Sequence, residues 1–289
     1  MNYLHYLKES ARIKNSIVCM GLDFSYEHLP AIFKKNKESA LGFRPFLDDL
    51  IIEMGKRNVY PAAVKPNQGF YAIHGSDGLQ VLDCIINDIY SWDIPIILDY
   101  KRGDIGPSSA NYAKEGFDIF RADAVTISPY MGTDSVEPFL KYCLNDKGVY
   151  ILNRTSNPGA KDFQNLELKD GRFLYEAVAE KIIEWAKLYP GTGAVVGATS
   201  LQELSKIATM FAPHNIPLLI PGVGKQGGSA KEVVAVLRAA GYPLYLARIN
   251  SSSGLTHPWA SKKEEAPKNY AKACIDELEK MNEEIGPIF

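Results

Sequence analysis

The sequence predicts an α/β protein of the (β/α)8 TIM-barrel class. Eight short, mostly apolar segments recur along the 289 residues, and amphipathic helical patterns separate them. Several of these segments run directly into charged or glycine-rich stretches, which is where a barrel of this class places its chemistry. A doubly wound open sheet is the alternative, but no GxGxxG motif follows the first strand. No linker divides the chain, so we expect one domain over residues 1–289.

The predicted strands are apolar throughout, as parallel strands are when helices cover both faces of their sheet. In chain order they span residues 16–23, 59–65, 94–100, 123–128, 148–154, 193–198, 216–221 and 243–249. Helical periodicity predicts helices over residues 78–90, 135–144, 172–189, 200–211, 230–241 and 268–285. Residues 157–171 are predicted to form a long loop after the fifth strand.

Composition narrows the class of protein. The chain has 32 Lys and Arg against 34 Asp and Glu, and this balance predicts neither a nucleic-acid nor a membrane partner. The four cysteines lie far apart with no CxxC spacing, so free thiols are expected instead of a disulfide framework or a zinc site. No segment has the length of a membrane span or the apolar core of a signal peptide, which predicts a cytoplasmic protein.

Charged side chains stand at the ends of three successive predicted strands. Asp23 ends the first strand, Lys65 ends the second, and Asp99 and Lys101 end the third. Asp99 and Lys101 are two positions apart and therefore point to the same side of an extended segment. Opposite charges favour each other's ionised form, so an alternating Lys–Asp–Lys array keeps its charges. From these residues alone, the array is either a salt-bridge network at the barrel mouth or part of an active site.

A glycine-rich segment, PGVGKQGGS (221–229), follows the seventh strand and precedes a predicted helix. Glycines allow backbone N–H groups to approach an anion closely, and the start of a helix adds a favourable dipole. Barrels of this class often bind phosphate in the loops after strands seven and eight. The segment therefore predicts a phosphate site.

These segments, in this order and spacing, resemble the orotidine 5'-phosphate decarboxylase family in its longer bacterial branch. The DxKxxD pattern alone is shared with sugar-phosphate decarboxylases and aldolases of the same superfamily. The resemblance extends over nearly the whole barrel and rests on DYKRGDI (99–105), GLD (21–23), VKPNQGFY (64–71), TSNPGAKDF (155–163) and PGVGKQGG (221–228).

The resemblance implies cofactor-free decarboxylation of orotidine 5'-phosphate to uridine 5'-phosphate, a step of pyrimidine biosynthesis, with no metal. Lys101 would stabilise the developing carbanion and then protonate it, while Asp99 would sit beside the substrate carboxylate. Lys65 would orient Asp99, and Asp23 would bind ribose hydroxyls. The implied catalytic residues are Lys65, Asp99, Lys101 and Asp104.

The resemblance also implies a set of substrate-binding residues and a partner. Asp104 and Ile105 would reach into the active site of a second subunit, which predicts a homodimer with shared sites. The segment that contains Ser156 would cover the pyrimidine. The implied substrate-binding residues are Asp23, Ile105, Ser108, Ser156, Pro221, Gly224, Gln226, Gly227, Ser252 and Ser253.

The chain departs from the family's pattern after the last strand. The family usually carries an arginine that grips the phosphate, in a segment like NSSRGI, but Ser253 stands at that place here. The Ser253 hydroxyl and backbone N–H groups, Lys225 or Arg248 are the candidates to replace it. A smaller departure is Ser108, where the family usually has threonine.

Two other functions are compatible with parts of the pattern. A metal-dependent sugar-phosphate decarboxylase or aldolase would need a glutamate near the second strand, and VKPNQGF (64–70) offers none. A non-catalytic nucleotide-binding relative would have no need for the charged residues, yet Asp99, Lys101 and Asp104 are all present.

Overall fold

The computed structural model describes residues 2–34, 39–224 and 227–289. Eight parallel strands form one sheet in the order β2-β1-β8-β7-β6-β5-β4-β3. Bridges between Val64 and Ile96 and between Asn67 and Asp99 join β2 to β3 and bring the sheet's two ends together. This confirms the (β/α)8 barrel and excludes the open sheet. The strands are β1 (Val18–Gly21), β2 (Ala63–Lys65), β3 (Ile97–Arg102), β4 (Ala124–Ile127), β5 (Gly148–Arg154), β6 (Thr192–Val196), β7 (Leu218–Ile220) and β8 (Ala247–Ser251).

All eight predicted strands are present, but two predicted starts were wrong for local reasons. The second strand begins at Ala63 because the Val59 N–H bonds the Met54 carbonyl, which closes the end of the preceding helix. The eighth begins at Ala247 because Leu244–Leu246 forms a 3-10 turn.

Helices cover the outside of the barrel, and the six predicted ones are all found. They are α4, α6, α7, α8, α9 and α11, and in the part of the chain that the structure describes the prediction missed five more. The α-helices are α1 (Tyr3–Lys14), α2 (Phe43–Arg57), α3 (Gln68–Ala72), α4 (Gly75–Ile89), α5 (Gly106–Lys114), α6 (Thr133–Leu140), α7 (Leu174–Leu188), α8 (Leu201–Phe211), α9 (Ala230–Ala239), α10 (Ser253–Thr256) and α11 (Tyr270–Ile285).

The missed helices differ in how much signal they carry. α2 buries Phe43, Phe46, Leu47 and Leu50, whose helical spacing is visible in the sequence and was overlooked. α5 buries only Ser109 and Ala113 and has a proline in its first turn, so its apolar pattern is weak.

The N-terminal end of the barrel is closed by α1. The Asn2 side chain accepts the His5 N–H at 2.8 Å and caps this helix. Arg248, fully buried on β8, donates to the carbonyls of Leu7 at 2.7 Å and Ala247 at 2.8 Å. The Arg248 guanidinium thus belongs to this closed end, far from the strand ends where the phosphate site was predicted.

The predicted long loop after β5 is partly structured. Pro158–Asp162 forms a 3-10 helix, and the Gln164 amide nitrogen donates to the Thr155 hydroxyl at 2.9 Å, which ties the middle of the loop to the residue after β5. The Phe173 N–H donates to Glu176 at 2.8 Å, and this bond marks the start of α7.

All four cysteines are free thiols. Within the described ranges, no helix has the length and apolar character needed to cross a membrane.

Candidate active site

Four charged side chains, on or just after β1, β2 and β3, form one ion-paired array at the carboxyl ends of these strands. Lys65 Nζ lies 2.9 Å from Asp99 Oδ2 and 3.5 Å from Asp23 Oδ1. Lys101 Nζ lies 2.6 Å from Asp99 Oδ1. The order of contacts is therefore Asp23–Lys65–Asp99–Lys101, so the structure brings together the four residues that the strand ends predicted.

The array keeps its charges despite burial. Desolvation alone would raise the pKa of Asp99, but Lys65 and Lys101 outweigh it and hold that pKa well below its usual range. Desolvation likewise opposes the charged form of Lys65, yet Asp23 and Asp99 raise the Lys65 pKa above its ordinary value. Both groups are therefore ionised at neutral pH, as the alternating charges predicted.

Lys101 differs from the rest of the array in its exposure. Its side chain is 46% exposed, against 4% for Lys65 and 8% for Asp99. Lys65 is thus enclosed by its partners, whereas the Lys101 ammonium is open to a bound molecule. An exposed cation that a buried carboxylate holds in place is suited to interact with charge that develops on a substrate.

The end of β3 is irregular where it carries Lys101. This residue has a φ of 45°, in the left-handed region that non-glycine residues rarely adopt. The β3–β4 register shifts between Leu98 and Arg102. The hydroxyl of Thr126, on β4, accepts the backbone N–H of Lys101 at 3.1 Å. Sequence reasoning missed Thr126, because a threonine inside a mostly apolar strand is ordinary β-strand composition and gives no clear signal.

The array forms one wall of a cleft of about 770 Å³ at the barrel mouth. Eight of the predicted site residues line it: Asp23, Lys65, Asp99, Lys101, Ser156, Pro221, Ser252 and Ser253. Sequence reasoning overlooked other polar and aromatic residues of the lining, among them Thr126, Asn250, His28, His257, Gln164 and Phe70. A cleft of this size and depth can hold a nucleotide-sized ligand.

The cleft wall on the other side of β1 from β2 and β3 is built from the ends of β7 and β8. Gly224 and Gly227 have φ values of 89° and 91°, which only glycine adopts readily. Their N–H groups donate to the carbonyls of Gly228 and Gly224, at 3.0 and 2.8 Å. These two predicted phosphate donors are thus used within their own loop. The predicted residue Gln226 and the candidate cation Lys225 lie outside the described residues.

Serines and an asparagine supply the rest of this wall. A Cβ atom on Gly21 would lie 1.9 Å from the Ser252 hydroxyl, so β1 must carry glycine there for Ser252 to take its place. The Asn250 Oδ1 atom is buried with no hydrogen-bond partner among the described residues and faces a cleft that a ligand could enter.

His257 follows Ser253 and Gly254 in the chain and lines the same cleft. Burial, with a smaller contribution from His28, lowers the pKa of His257 to about 3. His257 is therefore neutral at pH 7 and supplies no positive charge to this wall.

Comparison with known proteins agrees with this geometry. Residues 16–242 match the Orotidine 5'-phosphate decarboxylase / HUMPS family. The chain belongs to this family. It is 39% identical over 235 residues to orotidine 5'-phosphate decarboxylase from Bordetella avium, covering 81% of this chain and 83% of that protein. With the Ralstonia nicotianae orotidine 5'-phosphate decarboxylase it shares 36% identity over 280 residues, 96% of this chain and 98% of that protein.

A solved structure of the same family has the same fold. The Leishmania donovani OMP decarboxylase superposes with a TM-score of 0.75 at 32% identity, covering 98% of this chain and 99% of that chain. The family membership predicted from the sequence motifs is confirmed. The two alternative functions are not favoured by these relatives.

Three predicted residues of the family's β3 segment lie apart from the cleft of their own chain. The described residues that line the cleft do not include Asp104, Ile105 or Ser108. Asp104 Oδ1 accepts the Ile105 N–H at 2.8 Å, and the Ile105 side chain is 55% exposed. Ser108 is exposed in the first turn of α5. A role for them in catalysis therefore requires a second subunit and stays a prediction.

The described residues contain no group of three or more His, Cys, Asp and Glu side chains arranged to hold a metal ion.

Proposed function

We propose that this protein decarboxylates orotidine 5'-phosphate to uridine 5'-phosphate, the activity for which its relatives are named. The observation that carries the proposal is the Lys65–Asp99–Lys101 array at the cleft, in which Lys101 is much the most exposed member. Its charges are held in place before any substrate arrives. They can therefore act on a transition state with little rearrangement.

In the proposed reaction the bond between the pyrimidine ring and its carboxylate breaks and carbon dioxide leaves. The electron pair remains on the ring carbon, where the Lys101 ammonium stabilises it. A proton then moves from Lys101 to that carbon and completes uridine 5'-phosphate. Asp99 holds Lys101 at 2.6 Å and carries a negative charge that the substrate carboxylate must approach. Carbon dioxide departure relieves that repulsion, while the larger contribution comes from the fixed positive charge.

The other predicted residues take binding roles around this centre. In this proposal Asp23, next to Lys65, accepts ribose hydroxyls, and Ser156, which lines the cleft in the loop after β5, contacts the pyrimidine. The phosphate goes to the β7–β8 wall. Its proposed contacts are Pro221, Gln226, Ser252 and Ser253, while Gly224 and Gly227 shape the loop through hydrogen bonds of their own.

We further propose that the active unit is a homodimer whose sites are shared. Exposed apolar side chains beside the end of β3 support this, because contiguous apolar surface is costly to leave in water. Ile105 is 55% exposed, Tyr130 87% and Met131 41%. A Cβ atom on Gly103 would lie 3.4 Å from the Met131 methyl, which puts Met131 against the segment that carries Asp104. The cytoplasmic location stays a prediction.

A direct decarboxylation assay tests the proposed function. Loss of orotidine 5'-phosphate absorbance is followed for the purified protein, with and without exhaustive chelation, and uridine 5'-phosphate is identified as the product. We expect turnover that chelation leaves unchanged. Loss on chelation with recovery on magnesium would instead favour metal-dependent sugar-phosphate chemistry. Binding of uridine 5'-phosphate without any turnover would favour a non-catalytic relative.

A further inference from the structure

We infer that Thr126 is a positioning residue, whose one hydroxyl fixes the Lys101 ammonium relative to the Asp99 carboxylate. The inference rests on the proposed decarboxylation for its functional consequence and on the geometry of β3 and β4 for its structural content.

The Thr126 hydroxyl uses its full hydrogen-bonding capacity on the β3 segment. A hydroxyl has one hydrogen to donate and two lone pairs to accept. Thr126 donates to Asp99 Oδ1 at 2.8 Å and accepts the N–H groups of Tyr100 at 3.2 Å and Lys101 at 3.1 Å. Thr126 is 1% exposed, so water does not compete for these bonds. One hydroxyl therefore holds both the backbone and a side chain of the reacting segment.

The backbone bonds matter because the chain is strained at Lys101. A left-handed φ of 45° is unfavourable for a lysine and persists only where the surroundings enforce it. Leu98 still pairs with Val125, and the ladder resumes only where Arg102 pairs with Ile127. Between those points the Asp99 N–H bonds the Pro66 carbonyl on the β2 side, whereas the Tyr100 and Lys101 N–H groups bond the Thr126 hydroxyl instead of a strand carbonyl. The threonine hydroxyl thus replaces the missing rungs and holds Lys101 in its left-handed conformation.

The side-chain bond sets the orientation of the carboxylate. Asp99 Oδ1 receives both Lys101 Nζ at 2.6 Å and the Thr126 hydroxyl at 2.8 Å, while Oδ2 receives Lys65. Without the hydroxyl, the Asp99 carboxylate loses the one neutral donor on the oxygen that holds Lys101. Lys101 is then held less firmly by both its own backbone and the Asp99 carboxylate, so its distance to the reacting carbon is less well fixed.

Variants of Thr126 test this role. Thr126→Val keeps the shape and removes the hydroxyl, Thr126→Ser keeps the hydroxyl, and Thr126→Ala is a second hydroxyl-free variant should valine not fold. Thr192→Val is the matched control, since Thr192 is equally buried but donates to the Tyr189 carbonyl at 2.7 Å, at the start of β6 and thus at the opposite end of the barrel. For each folded variant, kcat, KM and the affinity for uridine 5'-phosphate are measured.

We expect Thr126→Val and Thr126→Ala to lower kcat by about 10- to 100-fold, the loss typical of a hydrogen bond to a charged group. KM and product affinity should change by less than about threefold, because a positioning residue acts on the transition state and not on ground-state binding. Thr126→Ser should recover most of the wild-type kcat, and Thr192→Val should retain it.

The inference is overturned if folded Thr126→Val keeps the wild-type kcat, or if serine, valine and the Thr192 control all lose the same activity. Crystal structures of the wild type and Thr126→Val distinguish failure of this inference from failure of the proposed function. If the wild type does not decarboxylate, the function fails. The inference then stands only if Lys101 leaves its left-handed conformation, or its contact with Asp99, in the valine variant.

Discussion

The two walls of the cleft differ in the kind of polar group that they offer to a ligand. On the β1–β3 side, four charged residues form a continuous ion-paired array. On the β7–β8 side, the described residues that line the cleft offer hydroxyls, an amide, glycine backbone and a neutral histidine, and no lysine or arginine. Yet the proposed substrate carries its phosphate toward the second wall. Among the described residues, full charges are thus concentrated where bonds change and not where the phosphate is proposed to bind.

This difference follows from what each wall must do. A transition state exists only briefly, so its stabilising charges must be in place beforehand, and the array's mutual ion pairs keep them ionised and fixed. A phosphate can instead be held by dipoles, which cost less to bury than unpaired charges. The comparison therefore predicts large effects on rate from the array and smaller effects on binding from the other wall.

The largest effect is expected from Lys101→Ala. This change removes the proposed proton donor and the most exposed member of the array. We expect turnover to fall by at least about 1000-fold, since general-acid and electrostatic contributions are lost together. Lys114→Ala, at the exposed end of α5, serves as a control for removing a nearby lysine. Comparable turnover in a folded Lys101→Ala protein would remove the basis of the proposed mechanism.

The next largest effect is expected for Asp104, whose side chain lies outside the cleft of its own chain. Lys101→Ala and Asp104→Ala proteins should each be inactive, but a mixed dimer would have one site with neither change if Asp104 acts in the partner. With statistical mixing at equal amounts, about half the dimers are mixed, and about a quarter of wild-type activity should return. Subunit mixing is verified by tagging the two chains, and activity is measured on the mixture.

A second pair of variants is the control for this mixing experiment. Lys101→Ala and Lys65→Ala both change residues of the same chain's cleft, so every site in their mixed dimer carries one defect. That mixture should stay inactive. Equal recovery in both mixtures, or none in verified mixed dimers of the first pair, contradicts the assignment of Asp104 to the neighbouring site.

The ion-paired array could be predicted from the sequence, whereas the Thr126 hydrogen bonds and the left-handed turn that hold it in place could not. Parallel strands of a barrel bring their carboxyl ends to one mouth, so charges at the ends of successive apolar runs must meet. That rule places Lys65 and Asp99 together without any knowledge of side-chain contacts. Thr126 escaped it because a threonine in an apolar strand is ordinary β-strand composition. The left-handed turn at Lys101 escaped it because local propensity argues against such a turn.

The second wall was predicted less completely, for a related reason. Strand alternation puts Arg248 and Asn250 on the same side of β8, but it does not tell which end of the barrel each one serves. Arg248 lies at the closed end with α1, and Asn250 lines the cleft. The sequence therefore left Arg248 open as a phosphate ligand, and only the observed contacts remove it.

The smallest expected effect, and the sharpest test of the comparison, comes from Ser253→Arg. An arginine at this position would add a full charge to a wall that offers dipoles, and guanidinium binds phosphate with two parallel hydrogen bonds. We expect KM for orotidine 5'-phosphate to fall by about tenfold, at the low end of what a charged hydrogen bond contributes. Ser253→Met, of similar length without charge, should show no gain. With orotidine, which lacks the phosphate, the arginine should give no advantage either.

An unchanged KM in Ser253→Arg, together with a raised KM in Lys225→Ala, would mean that Lys225 already supplies the cation. The second wall would then not be neutral, and the contrast between the two walls would fail.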